Sequence, residues 1–134
     1  MSAGVVYAAL FAQLTHASVA AVAPGGIHRD RAPAGTSYPF VVLGAEPVEV
    51  SDVLAGEAYF GGEWTVRVVD TGDSAKAADD AYAVVHGRLQ AAELTIAGYT
   101  SMVCRRRTFF SYDEDIEGGG RAQHVGGTYL IMAT

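Results

Sequence analysis

Residues 37–46 read SYPFVVLGAE and follow directly on IHRDRAPAGT, residues 27–36. Four large apolar residues in succession, Phe40, Val41, Val42 and Leu43, break the in-out alternation of a half-exposed strand, so this strand is expected to be buried on both faces. Pro39 has no amide hydrogen to donate and is best tolerated where such a strand begins. Ahead of it, Ala32-Pro-Ala-Gly35 combines a restricted and a permissive backbone position, which marks a turn. A strand covered on both sides belongs inside a layered domain, and the rest of the chain must supply the layers.

Working outward, Tyr7, Leu10, Phe11, Leu14 and Ala17 or Ser18 recur at three-four spacing and predict one helix over about residues 3–21, ended by Pro24-Gly-Gly26. Ile27 to Arg31 reads as a short extended segment. Trp64, Val66 and Val68 alternate with Thr65, Arg67 and Val69 as a strand does, and Asp70-Thr-Gly-Asp-Ser74 is a turn rich in helix N-caps. Ala78, Ala81, Tyr82, Val85, Leu89 and Ala92 form one face of a second helix over about 75–92, leaving Lys76, Asp79, Asp80, His86 and Arg88 for the other face. The last third reads as two strands joined by the acidic, glycine-rich DEDIEGGG. The expected order is α-β-β-β-α-β-β: an α+β domain with a mainly antiparallel or mixed sheet and two helices packed on it. Between residues 46 and 62 the apolar Val48, Val50, Val53, Leu54, Tyr59 and Phe60 are interspersed with Pro47, Gly56, Gly61 and Gly62. This stretch is expected to be a flexible hairpin arm whose apolar groups contact a protein partner.

The 134 residues fit one domain, 50% of them hydrophobic and only 18% charged, which leaves small and apolar surface for self-association. A net charge of −6 opposes binding through neutralised phosphates, although it suits DNA that passes without adhering. The first 27 residues carry no Lys, Arg, Asp or Glu, but without a basic n-region, and broken by Gln13, Thr15, His16 and Ser18, they read as an amphipathic helix, not as a signal peptide or membrane span.

Motifs for chemistry are lacking. The single Cys104 builds neither a disulfide framework nor a thiolate site, and His16, His28, His86 and His124 have neither i, i+4 partners nor a cysteine pair, so no metal or cofactor is expected. Asp113, Glu114, Asp115 and Glu117 lack the ligand spacing of a calcium loop. No nucleophile elbow surrounds any serine, and PGG, FGGE, EGGG and VGGT match no phosphate-binding loop; they read as turns or bulges. No catalytic residue is assigned. In Arg105-Arg-Arg107, strand alternation sends Arg105 and Arg107 to one face, where their planar forks could pair with an acidic neighbouring subunit.

The pattern formed by Ile27, Asp30, Ala32, Pro33, Gly35, Tyr38, Pro39, Phe40, Val41, Val42, Leu43 and Gly44, together with the order of elements, resembles the tail-terminator, or tail-completion, proteins of long-tailed bacteriophages. The resemblance covers nearly the whole chain as a single domain over 1–134. It implies a non-enzymatic structural subunit of the virion tail, assembled in the bacterial host cytoplasm. Such a subunit forms a homo-oligomeric ring, commonly a hexamer, that caps the tail tube, ends its polymerisation and offers the joining surface for the head-tail connector. The implied partners are copies of itself, the major tail tube protein and the connector or stopper protein, with DNA met only in passage and no membrane. Asp113, Glu114, Asp115 and Glu117 would then be candidates to face the channel. Two other classes stay open: a head-tail connector or stopper subunit, and a small-ligand-binding or enzymatic α+β domain.

Overall fold

The computed structural model describes residues 3–45 and 60–134. In chain order the elements are α1 (Ala3–Leu14), α2 (Ala17–Val22), β1 (Ile27–Arg29), β2 (Phe40–Ala45), β3 (Phe60–Thr71), α3 (Lys76–Leu89), β4 (Thr95–Ile96), β5 (Tyr99–Asp115) and β6 (Arg121–Ala133). The strands form one mixed sheet in the order β1-β2-β3-β6-β5-β4, antiparallel except where β1 runs parallel to β2. The α+β reading and its order hold, with two refinements: the first helix is broken in two, and a short β4 precedes the final hairpin. The reading of 46–62 as an arm falls largely on residues 46–59, outside the described residues.

The break in the first helix has a local cause. Thr15 N–H closes α1 on the Phe11 carbonyl at 2.9 Å, and His16 Nδ1 then accepts from Ser18 N–H at 3.1 Å as the N-cap of α2. All three helices cover one face of the sheet. Val6, Leu10 and Leu14 of α1 and Tyr82, Val85 and Leu89 of α3 close over Val41, Leu43, Val66, Val68, Val125, Tyr129 and Ile131. Each such side chain contributes about 1.5–3 kcal/mol when fully buried. Gln13 Nε2 donates to the Arg88 carbonyl at 2.7 Å, and Arg88 Nη2 donates to the Gln13 carbonyl at 3.1 Å, which joins α1 to α3. Arg88 is therefore not a free polar residue of the helix, as its position in the sequence suggested.

The opposite face explains the apolar run in β2. Val41 and Leu43 point to the helices, whereas Phe40 and Val42 join Val69 and Ala122 in a second cluster, against which Ala32 and Ile116 pack. Residues 30–39 cross from β1 to β2 over this face. Asp30 (φ 66°) starts the crossing with its N–H on the Leu43 carbonyl, and Thr36 N–H reaches the Pro33 carbonyl at 3.2 Å around Gly35 (φ 84°), the positive φ that a type II turn requires.

VGGT does not form a turn, contrary to its reading from sequence. Gly126 and Gly127 lie mid-strand in β6, paired with Arg67 and Val66 of β3 on one side and with Phe110 and Phe109 of β5 on the other. A Cβ on Gly126 would meet the Val66 carbonyl oxygen at 2.3 Å, and one on Gly127 would meet the Thr108 carbonyl oxygen at 2.6 Å and the Tyr82 hydroxyl at 2.7 Å. The absent side chain of Gly127 makes room for the hydroxyl of α3's Tyr82. Replacing Gly126 by Ala is expected to cost about 1–3 kcal/mol, because the atom it meets is backbone with no flexible end to yield. Gly87→Ala, on the exposed face of α3 with open space around it, should instead stabilise by about 0.5–1 kcal/mol. Urea unfolding midpoints, with slopes unchanged, would check both.

Candidate assembly surfaces

Two polar clusters flank the centre of β6, one on each face of the sheet. On the helix face, the Tyr82 and Tyr129 hydroxyls are 2.6 Å apart, and the Tyr129 hydroxyl is 2.8 Å from His86 Nδ1. Arg106 lies 5.9 Å from the Tyr82 ring and 5.4 Å from that of Phe109, whose side chain is half-exposed. Burial, reinforced by the Tyr82 hydroxyl, pushes the Tyr129 phenol well above its ordinary range, so it stays protonated and can donate. His86, half-buried, is not the free helix-surface residue its spacing suggested. Partial burial and then the Arg106 charge hold its pKa below the ordinary 6.5, which favours the neutral ring that accepts from Tyr129.

On the opposite face, Arg67 Nε donates to His124 Nδ1 at 3.2 Å, which leaves the ring hydrogen on Nε2 to donate to Glu114 Oε1 at 2.6 Å. Tyr112 stacks on the imidazole with centroids 4.6 Å apart and planes 6° from parallel. His124 is buried, while Glu114 is largely exposed. These residues form one wall of a cleft of about 410 Å³ whose other wall is the crossing loop, residues 31–36. A second, mostly apolar cleft of about 570 Å³ is lined by Phe11, Leu14, Val19, Ala23 and Ile27. Burial pushes the Cys104 thiol up to about 11, and among the described residues no three His, Cys, Asp or Glu side chains converge as a metal site would need. Among the same residues no helix is long and apolar enough to cross a membrane.

The described residues leave open clefts on the surface, and Phe11, Phe109 and Tyr112 are each about half exposed. The family model of "Tail completion protein gp17" matches residues 8–125. The chain belongs to this family. As a tail completion protein it is a structural component of the virion tail of a phage or phage-like particle. A solved structure titled "Virion of native gene transfer agent (GTA) particle" contains a chain of the same fold, with a TM-score of 0.76, 19% identity, and 98% of this chain and 97% of that chain covered. A second solved structure matches with a TM-score of 0.61 and 17% identity over 98% of this chain and 96% of the other. No curated protein matches the chain.

Within this tail completion fold the residues singled out by sequence fall in different places. Val48, Val50, Val53, Leu54 and Tyr59 lie outside the described residues, and Phe60 opens β3 opposite Ala133. Arg105 sits opposite Leu130, exposed and with no ion pair among the described residues, whereas Arg107 is paired with Glu63 of its own chain at 2.8 Å. Asp113 and Asp115 both reach Arg121, Glu114 holds His124, and Glu117 is exposed in the hairpin turn. The two histidine clusters escaped the sequence reading because each ring takes its partners from other elements: His86 from β6, and His124 from β3 and β5.

The lowered pKa of His86 has a definite sign in folding. The unfolded chain binds the proton more readily, so the contribution of the neutral ring is fully present above about 6.5 and is lost as pH falls through the lower folded value. His86→Gln should therefore melt below wild type at pH 7.5, with the gap narrowing toward pH 5; a gap that widens in acid would contradict the assignment. Thermal melts across that range would measure it.

Proposed function

We propose that this tail completion protein forms a closed ring of six copies that caps the tail tube, ends its polymerisation and presents the joining surface for the head-tail connector. The observation that carries this reading is the family match, which spans residues 8–125 and so nearly the entire fold. A ring needs a heterologous, repeating contact in which two different surfaces of the subunit meet. The molecule offers surfaces of different chemistry: the apolar cleft beside Phe11 and the charged cleft between residues 31–36 and the β5-β6 hairpin. The apolar Val48, Val50, Val53, Leu54 and Tyr59 are assigned to contacts with a neighbouring subunit or the tube on their sequence alone, and Arg105 to an intersubunit ion pair.

Native mass spectrometry of the protein with tube protein present, and electron microscopy of the resulting tubes, should show a closed oligomer seated at one tube end. Tubes that lengthen without limit in its presence would sink the reading. The acidic hairpin tip is assigned to the channel, where Asp113, Glu114, Asp115 and Glu117 would repel passing DNA. Changing all four to lysine should leave tails assembled but slow DNA ejection, as measured by genome release from purified particles; unaltered release would place the tip elsewhere.

A further inference from the structure

The long strand β5 carries an edge that the described residues cover only in part. β4 pairs with Thr100 and Tyr99 alone. Beyond it, Ala91 N–H donates to the Cys104 carbonyl at 2.9 Å, and Arg106 N–H donates to Gln90 Oε1 at 3.2 Å. Past Arg106 the edge is open among the described residues. The bond from Ile116 N–H to the Gly120 carbonyl sets the phase of the hairpin, and alternation then directs the main-chain groups of Phe109, Ser111, Asp113 and Asp115 away from β6. Such a row of unpaired groups is a template for another strand.

The sequence of that edge selects its partner. Residues 105–115 read RRRTFFSYDED, with three bases, a central uncharged stretch and three acids. We propose that two free copies of this chain pair antiparallel through their β5 edges about a twofold axis at Phe110. Thr108 then faces Tyr112 of the second copy, and Phe109 faces Ser111. The bulge between Arg106 and Thr108 adds one residue, so that Arg106 falls opposite Asp113 and Arg105 opposite Glu114.

Two independent geometric conditions agree with this register. Arg106 and Asp113, paired to Tyr129 and Gln123 of β6, share the helix-bearing face, while Arg105 and Glu114, paired to Leu130 and Ala122, share the other. The outward main-chain groups of Phe109 and Ser111 also meet as a hydrogen-bonded pair, and Phe110 meets itself at a non-hydrogen-bonded one. Sliding the register by two residues keeps at most one of the charge pairs on each side. Exposed ion pairs add little affinity, so the charges set register while burial of Phe109 and Tyr112, each about half exposed, drives association. Asp113 and Glu114 keep their contacts with Arg121 and His124, since a carboxylate accepts several hydrogen bonds. The pair is the state of the unassembled subunit, covers the edge until other contacts replace it, and is independent of the ring reading.

Sedimentation of the full chain without tube protein should show a concentration-dependent dimer. Arg105→Glu alone and Glu114→Arg alone should each weaken it at least tenfold, and their equimolar mixture should restore it, because only the mixed pair places opposite charges together on both sides. Phe110→Cys should give a disulfide-linked dimer under mild oxidant, since residues across a non-hydrogen-bonded pair lie within disulfide reach, whereas Thr108→Cys should not. Ser111→Pro, which removes an outward N–H, should yield monomer; if it fails to fold, the Phe110 cross-link still reads the pairing. A wild-type chain monomeric at 100 micromolar, equal cross-linking at 108 and 110, or a mixture no tighter than the single variants would overturn the proposal.

Discussion

A strand with apolar side chains on both faces cannot lie on a surface, and β2 imposes that condition on everything around it. Val41 and Leu43 require a layer on one side and Phe40 and Val42 require one on the other. The helices supply the first and residues 30–39 the second, which is why a connection joining two parallel strands is spent as a cover and not as a helix. The turn at Pro33 to Thr36 and the positive φ of Asp30 serve that crossing. The stretch from Ile27 to Gly44 is thus foremost the means by which the chain covers its own second face, and in doing so it creates one wall of the charged cleft.

The sheet's centre obeys a complementary rule. β6 has neighbours on both edges and α3 above it, and at Gly126 and Gly127 there is no room for a side chain. At Gly126 the space is taken by the Val66 carbonyl and Arg67, and at Gly127 by the Thr108 carbonyl and the Tyr82 hydroxyl, which is held by Tyr129 and through it by His86. Buried hydroxyls without partners would cost more than the packing gains, so Gly127 and this polar chain form one arrangement. On the other face, Arg67, His124 and Glu114 satisfy one another and keep a charged line across an otherwise apolar cleft floor. Both arrangements tie separate elements of the fold together through satisfied polar groups.

From sequence alone, periodicity and turn chemistry determined the class of the fold, the element order, the both-sided burial of Phe40 to Leu43 and the buried face of α3, because these depend on residues near one another in the chain. The family could also be read there, since the motif from Ile27 to Gly44 is local. Only the tertiary structure decided the rest. It separated one apolar run into α1 and α2 by a cap at His16, put VGGT into the middle of a strand, and gave His86, His124 and Arg88 partners on other elements. It also showed how far the described residues cover the edge of β5, which no reading of its sequence could supply. The physical reason is range: propensity and pattern act within a turn or a strand, whereas contact, close approach and an open edge are set by elements that meet only once the chain has folded.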